Sequence, residues 1–423
     1  MAATLGASAT RGASGVKIYQ VGGAVRDRLL ELPIADRDWV VVGATPAELL
    51  ALGYRQVGRD FPVFLHPTTH EEYALARTER KHGSGHHGFV FDTTMVVTLD
   101  EDLARRDVTI NAIAADANGT LIDPFDGQGD LARRVLRHVT AAFVEDPLRV
   151  LRVARFAARF NFSVAPETVA LMTSMATNGE LATLTPERVW NELEKALSAP
   201  YPERFVEVLR ECGALRVLFP EIDCLFGTPE GLIHHPEGDT GAHLLLALRE
   251  AARRAASPAV RFAVLLHDLG KGQTPVEVLP RHPGHEARSA VLAEAFCQRW
   301  RVPNAVRELA VLVARYHVKI HRALELRATT LVKLLDDLDA FRRPTRIPEI
   351  LQACEIDAAG RAFPTPRPYP AAAHIAAALH AARSIDTASI VAEHVHGEAI
   401  KAGLQAARVA AVRKLNCDHH PSL

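Results

Sequence analysis

The sequence predicts an α/β head, followed by a mostly α-helical neck and body and then by an all-α domain. Between Lys17 and Ala115, short apolar runs that suit strands alternate with helical patterns. From Asp146 onward Ala, Leu, Arg and Glu dominate, and prolines stand where helices are expected to begin. Further along, an apolar helix ends in the pair His267-Asp268, which gives the all-α domain a candidate site of its own.

Each element of the head follows from its local pattern. The runs KIYQV, WVVVGA, PVFLH and EYALAR predict strands of one sheet, whereas VRDRLLEL and PAELLALGY predict helices. We expect HPTTHEE to be the tip of a hairpin. The stretch from Thr78 to Asp92 is rich in glycine, histidine and charge, which predicts a mobile loop. The proline-rich stretch from Gly360 to Pro370 is predicted to be a linker.

Five segments are expected along the chain. A length of 423 residues allows roughly three domains. The predicted segments are a disordered tail at 1–16, the head at 17–139, the neck and body at 140–226, the all-α domain at 227–345, and a helical tail region at 346–423.

Composition predicts a soluble, cytoplasmic, globular protein. Hydrophobic residues make up 48% of the chain, and no apolar run has membrane-spanning length, so no membrane partner is expected. The five cysteines lack paired spacing and indicate reduced thiols. A net charge of −1 gives no global argument for nucleic-acid binding. The segment from Leu131 to Phe160 is nevertheless basic, because it contains seven arginines and only two acidic residues. Any RNA contact is therefore expected to be regional.

The most informative motif is VGGAVRDRLLELPIADRD at residues 21–38. Its glycines, Gly22 and Gly23, can expose backbone amides to a triphosphate, with Arg26 close by. Asp36 and Asp38 precede a buried strand, and two carboxylates on one face need a cation, usually a divalent metal. The spacing excludes a Walker loop and a GxGxxG fingerprint. Taken separately, each feature has an ordinary explanation. The glycine pair is also compatible with a turn, and the two aspartates are also compatible with exposure to water at the end of a strand.

A second motif, EDPLR, opens a helix that carries a row of arginines. Asp146 is the predicted N-cap, and Pro147 occupies the first turn. The arginines fall within about 120° of arc at the helical period, and they are Arg149, Arg152, Arg155 and Arg159. Such a row also suits a solvated basic face on an ordinary amphipathic helix.

A third motif, RFAVLLHDLGKG, places His267 and Asp268 at the polar end of an apolar helix. These side chains would be poorly satisfied there without partners or a metal. His243 lies upstream, and His285 and His317 lie downstream, so the five residues are candidate metal ligands. The competing interpretation is a hydrogen-bonded core histidine. Four further histidines have no matching layout and are predicted to lie on the surface, namely His234, His235, His419 and His420.

The order of these motifs, with RRDVTINA at residues 105–112 between the first two, resembles one known family. It is similar to the polymerase β-like nucleotidyltransferases, in the form used by bacterial CCA-adding enzymes that carry an HD domain. The resemblance covers roughly residues 17–343. It implies attack by a tRNA 3′-hydroxyl on the α-phosphate of CTP or ATP, with release of pyrophosphate and without a nucleic-acid template.

The resemblance also implies roles for residues of this chain. Asp36 and Asp38 would be catalytic and hold Mg²⁺. Asp146 and Arg149 would select the base, because cytosine and adenine both offer an amine beside a ring nitrogen, whereas uracil and guanine offer a carbonyl beside a ring N–H. The remaining implied nucleotide-binding residues are Gly23, Arg26, Arg106, Arg152 and Arg155. The acceptor stem and 3′ end of tRNA would be held by shape and backbone contacts.

For the HD domain, the resemblance implies a divalent metal, Mg²⁺, Mn²⁺ or Ni²⁺, that activates water. The implied activities are those of a phosphatase, a 2′-nucleotidase and a 2′,3′-cyclic phosphodiesterase. Three alternatives remain open: a poly(A) polymerase, a nucleotidyltransferase–HD protein that modifies a regulatory protein, and a binding module without catalysis. Neither the choice between monomer and homodimer nor that between complete and partial CCA addition follows from the sequence.

Overall fold

Apolar alternation in the first part of the chain produces strands, and the computed structural model places seven of them in one mixed sheet. The structure describes residues 15–34, 36–57, 63–76, 78–81, 89–92, 97–365, 367–393 and 396–418, so residues 1–14 of the predicted tail lie outside it. Its strands are β1 (Lys17–Val21), β2 (Asp38–Val42), β3 (Arg55–Val57), β4 (Val63–Leu65), β5 (Glu72–Leu75), β6 (Thr78–Lys81), β7 (Phe89–Asp92), β8 (Ala114–Ala115), β9 (Leu121–Ile122), β10 (Val135–Leu136) and β11 (Ser163–Val164).

The large sheet has the order β3-β4-β5-β2-β1-β8-β9. Strand β2 pairs antiparallel with β1 and parallel with β5, so Asp38 stands opposite Val21 on one side and Glu72 on the other. Along β2, Val40 belongs to one apolar cluster and Val41 to another, as the twofold period of a strand requires. The strand is therefore buried on both faces, which explains the continuous run WVVV.

Helices account for most of the remaining described chain. They are α1 (Gly23–Leu29), α2 (Pro46–Ala51), α3 (Leu99–Ala104), α4 (Gly127–Arg133), α5 (Leu148–Phe160), α6 (Pro166–Thr177), α7 (Pro186–Leu197), α8 (Glu203–Glu211), α9 (Ala214–Leu218), α10 (Pro220–Asp223), α11 (Thr240–Arg253), α12 (Pro258–Leu266), α13 (His285–Arg299), α14 (Asn304–His321), α15 (Ala328–Asp337), α16 (Ile347–Ala359), α17 (Pro370–Arg383), α18 (Thr387–Glu393) and α19 (Gly397–Asp418). Short 3-10 turns lie at Thr109–Asn111, Ala141–Glu145, Glu180–Thr183, Leu269–Gln273, Val276–Val278, Ala323–Glu325 and Pro344–Arg346.

These elements confirm the predicted fold class, an α/β head followed by helices. Prolines begin α6, α7 and α10 as expected, because a helix leaves the first N–H groups unpaired and proline lacks one. The chain divides into two compact units, Met1–Val153 with Phe162–Leu184 and Ala154–Asn161 with Thr185–Leu423. The five-segment division remains a prediction. Among the described helices, none combines the length and the apolarity that crossing a membrane requires.

The predicted hairpin tip HPTTHEE is confirmed, since β4 and β5 pair antiparallel on either side of it. The loop predicted from Thr78 to Asp92 is wrong in its described parts, which form the antiparallel pair β6-β7. Apolar residues in FVF favour a strand, and the glycine and histidine composition that predicted a loop belongs to the intervening residues, which lie outside the described part of the chain. Four cysteines are free thiols, as expected: Cys212, Cys224, Cys297 and Cys354.

A buried carboxylate fastens the beginning of α5, residues 148–153, within the first unit. Both Nε and Nη2 of Arg152 contact Asp107 Oδ2, at 2.7 and 2.6 Å. Asp107 Oδ1 accepts hydrogen bonds from the backbone N–H of Val108 and from Asn111 Nδ2, each at 2.9 Å. Burial disfavours the ionised carboxylate, but Arg152 and Asn111 more than compensate and hold the pKa of Asp107 well below its ordinary value of 3.8.

We predict that Asp107→Asn lowers the stability of the first unit by about 2 kcal/mol at neutral pH, because Arg152 loses a charged partner. The folded-state pKa of Asp107 is depressed, so its contribution is complete above the unfolded value of 3.8 and is lost as the pH falls through the folded value. Thermal unfolding of both proteins from pH 7 downward measures this. The difference in unfolding temperature between wild type and Asp107→Asn should decrease as the pH is lowered.

The matched control is Asp337→Asn, which removes an exposed ion pair with Lys333. Surface pairs of this kind contribute little to stability, so the control should unfold close to wild type. Equal unfolding of wild type and Asp107→Asn at neutral pH would contradict the assigned role of Asp107.

Candidate active sites

The glycine pair, Arg106 and Asp38 meet at the start of α1. Gly22 has φ +69°, and a Cβ added there would lie 2.8 Å from Arg106 Nη1 and 3.8 Å from Asp38 Oδ2. A side chain at this position would therefore displace the guanidinium, and the positive φ independently favours glycine. Gly23 is the first residue of α1. The structure thus brings together the backbone of the glycine pair, one predicted nucleotide-binding arginine and one predicted catalytic carboxylate.

Asp36 and Asp38 are both exposed, and Asp38 begins β2 while Asp36 precedes the strand. Although Asp38 reaches solvent, desolvation by the surrounding protein raises its pKa, Arg106 lowers it, and the negative charge of Asp36 raises it again, so that the net direction is upward. A carboxylate whose ionisation is disfavoured by a second carboxylate beside it is part of a donor set that a hard divalent cation stabilises. The residues present therefore fit a magnesium site.

Arg26, the arginine predicted to lie beside a triphosphate, is buried. Its Nε donates to Asp27 Oδ1 at 2.8 Å, and its Nη1 donates to Asn111 Oδ1. Asn111 in turn donates to Asp107, so Arg26 belongs to the buried network around that carboxylate. A nucleotide-binding role for Arg26 remains a prediction.

The motif RRDVTINA connects this site to the helix that EDPLR opens. The Arg105 guanidinium pairs with the Glu145 carboxylate, and the Arg105 carbonyl accepts from Arg149 Nη2 at 2.6 Å. Arg149 Nη1 also donates to the carbonyl of Ala142 at 2.7 Å. Asp146 Oδ1 accepts from the backbone N–H of Leu148 at 3.1 Å, which matches its predicted capping role. The two residues proposed to read the base therefore have fixed positions.

Arg155 lies in the second unit and pairs with Glu192, at 2.5 Å from Nε to Oε2, while its guanidinium covers the Phe156 ring at 4.3 Å. With Arg149 bound to carbonyls and Arg152 bound to Asp107, the arginine row is not a simple solvated face. Arg149, Arg152 and Arg155 are held by acceptors on neighbouring segments.

The predicted metal ligands of the all-α domain converge around Asp268. His267 follows α12 directly, with Nε2 3.1 Å from Asp268 Oδ2. The Nε2 atoms of His285 and His317 lie 3.3 and 3.4 Å from Asp268 Oδ1. His243 on α11 belongs to the same cluster through His267 and Asp268. Among described residues, His267 Nε2 and Asp268 Oδ1 are buried without a hydrogen bond of acceptable geometry, so the cluster fits a bound cation.

Charges within the cluster are strongly perturbed. Burial opposes protonation of His243, yet contacts with Asp357 and Glu237 raise its pKa to about 9. Burial lowers the pKa of His317 to about 4 against the attraction of Asp268. For Asp268 itself, burial is outweighed by His267 and Lys271, which hold its pKa well below the ordinary value. These are the perturbations expected of a functional cluster.

Sequence reasoning missed several residues of this site. Asp357 on α16 lies 3.1 Å from His243 Nε2 and 2.6 Å from His321 Nε2. Lys271 is buried and contacts Asp268 Oδ2 at 2.8 Å and Glu230 Oε1 at 2.6 Å. The acidic residues within the otherwise apolar run ILQACEIDAAG were the available signal for Asp357, as was the lysine of HDLGKG for Lys271.

His235, predicted to be a surface residue, is buried and pairs with Glu237 at 3.0 Å, so that prediction is wrong. His234 is exposed as predicted, whereas His419 and His420 lie outside the described residues. A cleft of about 440 Å³ opens beside the cluster, and its lining includes Arg281 and Arg361. Cations at such a cleft suit a phosphorylated ligand.

Comparison with known proteins gives three family matches along the chain. Residues 18–137 match the poly A polymerase head domain, and residues 161–225 match the probable RNA and SrmB-binding site of polymerase A. Residues 240–343 match the HD domain. The chain thus carries a nucleotidyltransferase head together with an HD domain.

Among solved structures, the CCA-adding enzyme of Bacillus stearothermophilus in complex with CTP is 27% identical, with a TM-score of 0.62, over 95% of this chain and 90% of that one. The Thermotoga maritima CCA-adding enzyme complexed with tRNA shares the fold, at 20% identity and a TM-score of 0.60, over 96% of this chain and 89% of that one.

Two relatives carry the name multifunctional CCA protein. The one from Nitrosococcus oceani is 58% identical over 399 residues, which cover 94% of this chain and 98% of the relative. The one from Thioalkalivibrio sulfidiphilus is 58% identical over 406 residues, covering 95% and 99%. Identity at this level over nearly the full length of both chains is decisive, and the chain belongs to the multifunctional CCA protein family.

Proposed function

We propose that this protein adds the 3′-terminal CCA to tRNA from CTP and ATP, and that its HD domain hydrolyses phosphate esters with a divalent metal. The observation that carries the proposal is the meeting of the glycine-pair backbone, Arg106 and Asp38 in a chain that also holds the Asp268 cluster. Family membership supports both activities in one polypeptide.

In the head, Asp36 and Asp38 hold magnesium. When bound, magnesium neutralises the triphosphate and lowers the pKa of the attacking 3′-hydroxyl. The backbone at Gly22 and Gly23 leaves room for phosphate oxygens, since a side chain at Gly22 would meet Arg106 and one at Gly23 would approach Arg26. Arg106 supplies the positive charge next to Asp38. The products are the extended RNA and pyrophosphate.

Base selection is assigned to Asp146 and Arg149. The Asp146 carboxylate accepts from the exocyclic amine that cytosine and adenine share, and Arg149 donates to the neighbouring ring nitrogen. Uracil and guanine have a carbonyl in place of the amine and a ring N–H in place of the ring nitrogen. The Asp146 carboxylate would then face a carbonyl oxygen. Arg149 is held by two backbone carbonyls, so its guanidinium is oriented before the nucleotide arrives. Arg152 and Arg155 add positive charge along α5.

The RNA partner is proposed to be the acceptor stem and 3′ end of tRNA. The charge of residues 131–160, with seven arginines against two acids, provides phosphate contacts on a chain whose net charge is −1. An A-form stem is recognised by shape and backbone rather than by base edges. The predicted cytoplasmic location belongs to this proposal.

In the HD domain, the cluster around Asp268 holds a divalent metal, with Mg²⁺, Mn²⁺ and Ni²⁺ as candidates. When bound, that metal activates water for attack on phosphorus. Lys271 fixes one oxygen of Asp268, and Arg281 and Arg361 line the cleft through which a phosphate ester enters. The proposed substrates are phosphate monoesters, 2′-nucleotides and 2′,3′-cyclic phosphates. Addition of adenosines to RNA does not require a hydrolytic site of this kind. The poly(A) polymerase is therefore the weaker hypothesis for this chain.

We predict that the two activities separate by mutation. Asp36→Ala should reduce nucleotide addition by about 10³-fold or more and leave phosphatase activity intact, because it removes a ligand from the head alone. His267→Ala should abolish the phosphatase activity and leave nucleotide addition intact. Both activities are measured on full-length protein, with labelled tRNA for addition and a chromogenic phosphate ester for hydrolysis.

The matched controls are the exposed residues Asp100 and His380, each changed to alanine, and neither change should affect either activity. A folded Asp36→Ala or His267→Ala variant that lost both activities together would rule out two independent sites.

We also predict that Asp146 sets base selectivity. Asp146→Ala should reduce the preference of CTP over UTP, and of ATP over GTP, by about 10- to 100-fold, the discrimination that such a pair of hydrogen bonds supplies. Ratios of kcat/KM for the four nucleotides measure it. Because Asp146 also caps α5, Asp146→Asn is the matched variant, since its side-chain oxygen still accepts from Leu148. Unchanged selectivity in both variants would refute base reading by Asp146.

A further inference from the structure

We propose that the cleft of the HD domain recognises the nucleobase of its substrate through an apolar rim formed by Leu232, Ile233 and Val276. This inference rests on the phosphate-ester hydrolysis proposed for the HD domain. It goes beyond that activity, because it assigns the residues that distinguish a nucleotide from a phosphate ester that has no base.

The rim is the most exposed apolar surface of the described chain. The exposed fractions of Leu232, Ile233 and Val276 are 69%, 82% and 79%, the three highest values among the large apolar residues that the structure describes. Apolar side chains that are exposed singly need no explanation, whereas a group of them bordered by polar residues marks a surface that binds a ligand.

Leu232 and Ile233 form the tip of a loop beside the cleft. Gly231 and His234, which precede and follow them in the chain, both line the cleft. The backbone N–H of His234 donates to the carbonyl of Gly231 at 3.0 Å, which closes a turn around the two apolar residues. A backbone contact therefore holds the tip at the edge of the cleft.

The segment that carries Val276 is fastened to the same loop through His282, which also lines the cleft. His282 Nδ1 lies 2.8 Å from Thr274 Oγ1, and its Nε2 lies 3.1 Å from the carbonyl of Pro229. Val276 begins the 3-10 turn Val276–Val278, two residues after Thr274. Apolar side chains from two connected segments thus border one cleft.

The cleft itself provides positive charge. Its lining includes Arg281, Arg322 and Arg361. The Nε atom of Arg361 is buried, and within the described part of the chain it has no hydrogen-bond partner. A buried N–H donor needs an acceptor, and a phosphate oxygen is a strong one. The site therefore combines cationic donors with an apolar rim.

A nucleotide has both of the parts that such a site can bind. Its phosphate accepts from arginine, and its base presents a flat face that apolar side chains can cover. The cleft volume of about 440 Å³ is within the range of sites that hold small organic ligands. Aliphatic side chains supply little directional contact, so we expect the rim to favour the presence of a base rather than one particular base.

The test compares two esters that differ only in the base, adenosine 2′-phosphate and the base-free methyl ribofuranoside 2-phosphate. Release of phosphate by full-length protein is measured with the divalent metal that gives the highest rate. We expect wild type to have a KM about 10-fold lower for adenosine 2′-phosphate, with similar kcat. Ile233→Ser with Val276→Ser should remove most of this difference by raising the KM for adenosine 2′-phosphate.

The matched control is Leu52→Ser with Val291→Ser, two exposed aliphatic residues that do not line the cleft, and it should keep the wild-type ratio of KM values. Ile233→Phe enlarges the rim and should lower the KM for adenosine 2′-phosphate, a gain that a folding defect cannot produce. An RNA oligonucleotide that ends in a 2′-phosphate is assayed in parallel. A larger effect of the double substitution on the oligonucleotide assigns the base to an RNA 3′ end, and a larger effect on adenosine 2′-phosphate assigns it to a free nucleotide.

Equal KM values for the two esters in wild type would overturn base recognition by the rim and leave the proposed hydrolysis in place. A difference that the double substitution does not reduce would have the same consequence. Failure to hydrolyse either ester would instead overturn the proposed function of the HD domain, and this inference with it.

Discussion

The buried ion pair between Asp107 and Arg152 is the interaction on which the arrangement of the head depends. A carboxylate with a side chain 6% exposed is stable only when donors surround it, and here they come from Arg152, Asn111 and the chain itself. Because these donors belong to separate segments, satisfying one carboxylate fixes the motif RRDVTINA against α5. The geometry of the proposed nucleotide site follows from that single burial.

The first three residues of this motif each make a different set of contacts. Arg105 binds Glu145 and positions Arg149 through its carbonyl, Arg106 lies against Gly22 and Asp38, and Asp107 holds Arg152. One short segment therefore links the carboxylates proposed for catalysis with the residues proposed for base selection. A base-reading pair needs such support, because discrimination between hydrogen-bonding patterns is lost when the reading side chains can turn away. The HD cluster is supported in a similar way, since backbone carbonyls contact Nδ1 of His267, His285 and His317.

Much of this was predictable from sequence, where the signal is local. The strands around KIYQV and WVVV, the helices that begin at proline, and the convergence of His267 with His285 and His317 all follow from periodicity or motif order. The strand pair β6-β7 was not predicted, because the glycine and histidine residues between the two strands are typical of a loop. Asp357 lies 114 residues from His243, and no local pattern encodes that contact. The inward direction of Arg26 was likewise hidden, because it depends on Asn111 from a distant segment.

The head is proposed to add CCA to tRNA and then to stop. The measurement that tests it most directly is extension of a labelled tRNA ending at its discriminator base, with Mg²⁺ and each nucleotide alone or combined, resolved to single nucleotides. We expect CTP alone to add two residues, and CTP with ATP to add CCA and no more. A long ladder of adenosines with ATP, or no extension with any nucleotide, would contradict the account.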